Sequence, residues 1–216
     1  MTLKNADLAP IGLGIAGLGM AGAVMVQAAA AHPGFVLRAA ADPHPAPRQA
    51  FARDFNASAY DDIAGLCADP AVEVVYIATP HQFHAPHAIL AAEHGKHIIL
   101  EKPISLSATD ARAVAAAVKA AGVRTCVCFE CRFSSQFLAT KAVIDAGLLG
   151  ALHYGEVDYY HGIGPWYGQY RWNTSVESGG SSLLSAGCHA LDALLLCMGG
   201  QVESVTSSAK IGRAHV

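Results

Sequence analysis

Residues 10–22, Pro-Ile-Gly-Leu-Gly-Ile-Ala-Gly-Leu-Gly-Met-Ala-Gly, decide the fold. From Leu8 to Ala31 no side chain carries a charge, so by length alone the segment suits a membrane span or a signal peptide. Glycines at 12, 14, 17, 19 and 22 argue against one continuous helix, because each costs about 1 kcal/mol against alanine in a helix interior. A buried strand, a tight turn and a helix start account better for the same residues. Two G-x-G-x-x-G frames overlap, Gly12/Gly14/Gly17 and Gly17/Gly19/Gly22. The first leaves only Leu8 to Ile11, interrupted by Pro10, as its strand. The second leaves Ile11 to Ala16 before the turn and a helix after it. Gly17, Gly19, Met20, Ala21 and Gly22 are therefore the candidate dinucleotide cradle, with helix N-terminal N–H groups facing a pyrophosphate.

Outward from that turn, apolar runs alternate with helical stretches. Strands are expected at Pro10–Ala16, Phe35–Ala41, Val72–Ala78, His97–Leu100 and Arg124–Phe129. Helices are expected at Met20–His32, Pro45–Phe55, Asp61–Ala68, His84–His94 and Ser107–Ala121. This rhythm is that of an α/β, Rossmann-type, doubly wound parallel sheet occupying residues 1–130. After residue 130 the pattern changes. A helix at Ser134–Ala146, a strand at Leu152–Tyr160, a helix-like segment at Ser182–Met198 and a strand starting at Val202–Ala209 suggest an incomplete α+β domain over 131–216.

Composition excludes several classes. The chain is 53% hydrophobic with a net charge of −3, which leaves no electrostatic footprint for nucleic acid or anionic membranes. Its six cysteines are scattered in apolar surroundings and read as reduced, buried thiols of a cytoplasmic protein. Cys126-x-Cys128-x-x-Cys131 lacks a regularly spaced fourth ligand. His81, His84 and His87 drift around a helix with no carboxylate or cysteine to join them. No metal is expected.

The chemistry-bearing positions lie at predicted strand ends. Asp42 closes the second strand, where a carboxylate accepts both adenosine ribose hydroxyls and repels a 2′-phosphate. That favours NAD, with Arg48 nearby leaving NADP possible. Thr79-Pro80 and His84 follow the next apolar strand and are read as lining the nicotinamide pocket. Glu101-Lys102-Pro103 ends the strand after that and aims a cation into the crevice. His189 and Asp192 share a helix face, as a proton-transferring imidazole and a carboxylate would.

With Gly17-x-Gly19-x-x-Gly22, Asp42, Thr79-Pro80, Glu101-Lys102-Pro103 and Gly187-Cys-His-Ala-Leu-Asp192 in order, the chain resembles the glucose–fructose oxidoreductase, inositol dehydrogenase and rhizopine-catabolism (Gfo/Idh/MocA) family. The likeness runs from residue 10 to about 209 and includes Arg132-Phe133, Arg171-Trp172 and Gly179-Gly180. It implies a second domain built on a mainly antiparallel sheet, often used for homo-oligomers. It also implies hydride transfer between nicotinamide and a secondary hydroxyl or carbonyl of a sugar, cyclitol or related polyol. Lys102 and His189 become catalytic, with Asp192, Ser185, Arg171 and Trp172 on the substrate side. Ser185 departs from the pattern, since many family members carry Asp four residues before the histidine. An NAD-dependent glycosidase and a non-catalytic nucleotide sensor share the fold and are the alternatives.

The final residues, Ile211-Gly-Arg-Ala-His-Val216, can be encoded by ATC GGA AGA GCA CAC GTC, the read-through of a common sequencing adapter. The expectation is that the native frame is lost near Lys210. The chain is then a fragment whose second domain is cut short and whose own activity is uncertain.

Overall fold

The computed structural model of the chain describes residues 9–160 and 171–208. The first part runs β1 (Ile11–Ala16), α1 (Met20–Ala30), β2 (Phe35–Ala41), α2 (Pro45–Phe55), β3 (Ser58–Tyr60), α3 (Ile63–Ala68) and β4 (Val74–Ile77). It continues through α4 (His84–Glu93), β5 (His97–Glu101), α5 (Ala108–Ala121) and β6 (Thr125–Cys128). Every strand pairs in parallel, in the order β3-β2-β1-β4-β5-β6. This is the α/β, doubly wound sheet expected from the sequence. Strand order reverses between β1 and β4, so a crevice opens there beyond the carboxyl ends of the strands. Gly17, Asp42, Thr79 and Lys102 all follow those ends.

The uncharged segment divides as a strand and a helix, and β1 shows why it is rich in glycine. Leu13 and Ile15 are fully buried with Val26 and Ala29 of α1, Phe51 of α2, Val74 and Tyr76. On the opposite face stand Gly12 and Gly14. A Cβ at Gly12 would lie 2.1 Å from the Ala71 carbonyl oxygen, and one at Gly14 would lie 2.9 Å from Val72 Cγ1. These two glycines admit the α3–β4 connection against the sheet; they are packing residues. The second core lies on that side and joins Leu66, Val75, Ile77, Ile98, Leu100 and Val114 to the alanine stripe of α4. Ala85, Ala88, Ala91 and Ala92 recur at helical spacing and let α4 approach the strands closely.

Helix ends follow local chemistry. Asp62 accepts the Gly65 N–H at 2.9 Å and caps α3, and Ser107 caps α5 through the Asp110 N–H. Gly122 at φ +67 closes α5 in the left-handed conformation.

Beyond β6 come a 3₁₀ turn (Glu130–Phe133), α6 (Ser135–Asp145), α7 (Val176–Gly179), a π-helical turn (Leu183–Gly187) and α8 (Cys188–Met198). Several expectations change here. The helix-like segment from Ser182 is π-wound before it becomes α-helical at Cys188. Leu152–Tyr160 forms no strand, and neither do the described residues of Val202–Ala209, so the expected antiparallel sheet is absent among the described residues. Alternating polarity sets which side faces inward, but a strand exists only where a neighbour accepts its hydrogen bonds. Conversely, Ser58–Tyr60 pairs with β2 although three residues carry little periodic signal. The cysteines are free, yet only Cys67 is buried. Cys126 is exposed because β6 is the sheet's edge.

Gly12→Ala is expected to cost about 1–3 kcal/mol, the usual range for overpacking against a neighbour that cannot move aside. Chemical denaturation of the purified variant checks it; an unchanged midpoint would mean the contact of β1 with the α3–β4 connection is not tight.

Candidate functional site

The three glycines of the chosen frame divide their work. Gly17 sits at φ +91, and a Cβ there would meet the Ala78 carbonyl oxygen at 2.6 Å. A Cβ on Gly22 would lie 1.9 Å from the Gly17 carbonyl oxygen, so the first turn of α1 rests directly on the loop. Gly19, at the N-cap of α1, has nothing within 4 Å of its would-be Cβ. Turn, close helix packing and an open approach are the three needs of a pyrophosphate cradle. The first turn of α1 carries no acidic residue and no side-chain cap, and Met20 and Ala21 are exposed there. Its N–H groups are left to an anion.

Asp42 is buried beside this loop. One carboxylate oxygen accepts the Leu18 N–H at 2.8 Å and the other accepts the His44 N–H at 2.9 Å. Arg48 donates to the Asp42 carbonyl at 2.8 Å. Asp42 thus staples the glycine turn to the end of β2, with lone pairs remaining for a ribose. The Leu18 contact has no sequence signal, since it depends on two strand ends lying side by side.

The residues after β4 and β5 are locked together from behind. His84 is 1% exposed, with Nε2 2.8 Å from the Thr79 carbonyl and Nδ1 2.6 Å from the Pro103 carbonyl. Burial lowers its pKa, and both backbone contacts oppose that shift. The expectation that His84 lines a pocket meets a buried ring, closed off between the residues after β4 and those after β5. Thr79 Oγ1 pairs with His87 Nδ1 at 3.0 Å, while His81 Nδ1 faces the Gly179 carbonyl at 3.1 Å. His84 and His87 thus both hold Thr79, through its carbonyl and its hydroxyl, while His81 turns to Gly179. Glu101 turns back into the sheet, accepting the Tyr76 hydroxyl at 2.6 Å and the Lys102 N–H at 3.2 Å. Burial, then the Glu101 charge, keep the Tyr76 phenol protonated.

Lys102 reaches the other way. Its Nζ donates to the Ser185 carbonyl at 3.2 Å, in the π-turn that feeds α8. His189, one turn further, is 6% exposed between Phe129 and Tyr159. Burial lowers its pKa; Glu130, whose Oε1 lies 3.5 Å from Nε2, pulls it back up, and Lys102 pushes it down. The imidazole is thereby kept neutral within the field of the Lys102 ammonium.

Asp192 and Ser185, expected on the substrate side, both make contacts within the framework. Both Asp192 carboxylate oxygens are taken by Arg132, with Nε donating to Oδ2 at 2.7 Å. A carboxylate gripped bidentately anchors α8 to the turn after β6. The Ser185 hydroxyl donates to the Ser181 carbonyl at 2.9 Å and contacts Asn173 Oδ1 at 3.1 Å. That is the back-bonding habit of a helical serine. Trp172 stands edge-on to His81, with centroids 4.7 Å apart, and the Arg171 carbonyl accepts the Thr174 hydroxyl. The aromatic stretch at 161–170 lies outside the described residues. Arg132, Glu130 and Tyr76 are the site residues that spacing alone did not single out.

Residues 11–129 match the family profile described as "Oxidoreductase family, NAD-binding Rossmann fold", and residues 137–215 match that of the GFO/IDH/MocA C-terminal domain. The chain is 35% identical over 200 residues to 1-carboxy-3-chloro-3,4-dihydroxycyclohexa-1,5-diene dehydrogenase of Comamonas testosteroni, covering 90% of this chain and 49% of that protein. It is 30% identical over 181 residues to scyllo-inositol 2-dehydrogenase (NAD(+)) of Bacillus subtilis (strain 168), covering 83% and 51%. A solved levoglucosan dehydrogenase, in complex with NADH and levoglucosan, superposes with a TM-score of 0.81 at 28% identity, covering 88% of this chain and 55% of that one. The chain spans about half the length of the curated relatives it matches.

Burial holds the His81 and His87 imidazoles at about 4, against about 6.5 in an unfolded chain. Above pH 6.5 both states are neutral and nothing is lost. As pH falls from 6.5 toward 4 only the unfolded chain takes up protons, so stability declines across that window. A loss on the order of 1 kcal/mol per imidazole between pH 7 and pH 5 is expected, discounted for partial exposure. Urea midpoints at the two pH values measure it, and His81→Gln should flatten the slope.

Proposed function

The chain belongs to the GFO/IDH/MocA oxidoreductase family, and from that premise we propose that the whole protein is an NAD(P)-dependent oxidoreductase. Its substrate is a sugar, cyclitol or related polyol bearing a secondary hydroxyl or the matching carbonyl. Residues 1–130 form the nucleotide-binding domain and 131–216 begin the substrate domain. The observation that carries the reading is the contact of Lys102, from the end of β5, with Ser185 in the turn that leads into α8 and His189, on the same sheet whose β1 ends in the glycine turn.

The cradle of Gly17, Gly19 and Gly22 fits a dinucleotide, because the middle glycine leaves clear the space that a pyrophosphate needs. When bound, NAD supplies the hydride acceptor at its nicotinamide ring. The chain's own part is proton handling and orientation. Lys102 spends one N–H on Ser185 and keeps others for the substrate oxygen. His189, held neutral by burial, takes the hydroxyl proton as the carbon–oxygen bond gains double-bond character. Glu101 holds the Lys102 backbone, and the Arg132–Asp192 pair holds α8, so the amine and the imidazole stay in register.

The names of the relatives support a ring carbon bearing a hydroxyl as the reacting centre, and none of those reported is a glycosidase or a repressor. Asp42 supports NAD over NADP, all the more because Arg48 is engaged with the Asp42 carbonyl. Exposed Leu138, Leu148, Leu149 and Leu195 support a homo-oligomer in which further chain covers them, and the free thiols suit the cytoplasm.

In the full-length protein, Lys102→Met is expected to lower kcat by roughly 100-fold or more, the scale of positioned proton transfer, while NAD affinity changes little. Polyol-dependent reduction of NAD, with cofactor binding followed separately, measures both; near-normal turnover would reject the role. Asp42→Asn should move the NAD-to-NADP preference by roughly tenfold, about 1.4 kcal/mol, in kcat/KM measured with each cofactor.

A further inference from the structure

A third set of donors meets at this mouth; the cradle uses none of them, and the proton-transfer role uses only its histidine. Glu130 and Cys131 stand in the 3₁₀ turn after β6, and His189 faces them from α8. A carboxylate oxygen, a thiol sulfur and an imidazole nitrogen all lie within 4.8 Å of one another. His189 Nε2 and Glu130 Oε1 are 3.5 Å apart, too long for a good hydrogen bond but close to the spacing of two donors on one ion. Donors around tetrahedral zinc sit roughly 3.3–3.8 Å from each other, given metal bonds of about 2.0–2.3 Å. Small rotations of the exposed Glu130 and the half-buried Cys131 close the remaining gap. His189 does not need to move: Phe129 and Tyr159 hold its ring, and Nδ1 is buried with no partner among the described residues. A proton on Nδ1 leaves Nε2 as the lone-pair nitrogen aimed at the cluster. Glu101 adds negative charge nearby, and Lys102 is the opposing cation.

We propose that Glu130, Cys131 and His189 bind one zinc-class divalent ion with a fourth position open to solvent. A mixed nitrogen, sulfur and oxygen set suits zinc and excludes magnesium and calcium, which take oxygen ligands. On binding, the Cys131 S–H bond breaks, its proton passes to solvent and a metal–sulfur bond forms, with no change of oxidation state. Glu130 contributes an anionic oxygen and His189 its Nε2 lone pair. Resting on the function proposed above, one consequence follows: a metal on Nε2 removes the proton acceptor, so zinc inhibits alcohol oxidation while sparing NAD binding.

The test titrates metal-stripped protein with Zn²⁺ by calorimetry and with Co²⁺ by absorption, where a thiolate ligand gives a charge-transfer band. One equivalent of each is expected, with that band present. Cys131→Ser should abolish the band and weaken zinc by more than the roughly 10–100-fold that outer-shell changes cost. Glu130→Gln, isosteric and exposed, should weaken zinc with an unaltered melting curve in chelator. Folded wild-type protein that takes up no zinc, or a Cys131→Ser variant that binds as tightly as wild type, overturns the site. Stoichiometric zinc that leaves turnover untouched upholds the site and overturns instead the role given to His189.

Discussion

Helix α1 begins where it does because Gly22 has no side chain: a methyl there would collide with the Gly17 carbonyl oxygen at 1.9 Å. That contact lets the chain leave β1, turn through a left-handed glycine and start a helix within a few residues. The N-terminus of α1 is then aimed over the strand ends with its N–H groups unused. The strand order places the turn at the reversal point of the sheet, so Asp42, Thr79 and Lys102 arrive around it from neighbouring strands. Each can then do its part without a loop of its own design.

Around that crevice the polar contacts form a support layer. Asp42 holds the glycine turn, His84 ties the loop after β4 to the residues after β5, and Glu101 pins the backbone of Lys102. The residues beyond β6 join the layer mainly through polar stitches: His81 to Gly179, Lys102 to Ser185, and Arg132 to Asp192. Neutral hydrogen bonds contribute about 0.5–1.5 kcal/mol each, and charge-assisted ones about 1.5–3. No residue of α6 is buried, whereas α8 buries His189, Asp192 and Ala193, so these stitches act on α8 together with packing. Elements held in this way belong to the easily opened part of a protein, a useful property where substrate must enter.

Much of this was legible beforehand because it is local. The spacing of Gly17, Gly19 and Gly22 needs only a strand before it and a helix after it, and the alternation of apolar runs with helices demands a parallel sheet. Asp42 and Lys102 were legible as residues at the crevice edge because they follow the carboxyl ends of parallel strands. The expected strand at Leu152–Tyr160 failed for the opposite reason: its pairing depends on a neighbour that the local pattern cannot supply. Asp192 shares α8 with His189, yet periodicity cannot tell that Arg132 grips its carboxylate.

From the amino-acid order alone came the strand and helix rhythm, the dinucleotide turn, the carboxylate after β2 and the lysine after β5. All are set by turn chemistry, side-chain period and chain direction, which act over a few residues. Tertiary structure alone decided that His84 is buried between the Thr79 and Pro103 carbonyls, that Asp192 answers to Arg132, and that Glu130, Cys131 and His189 share one corner. Those outcomes depend on which elements come to lie side by side, and distance along the chain carries no record of that.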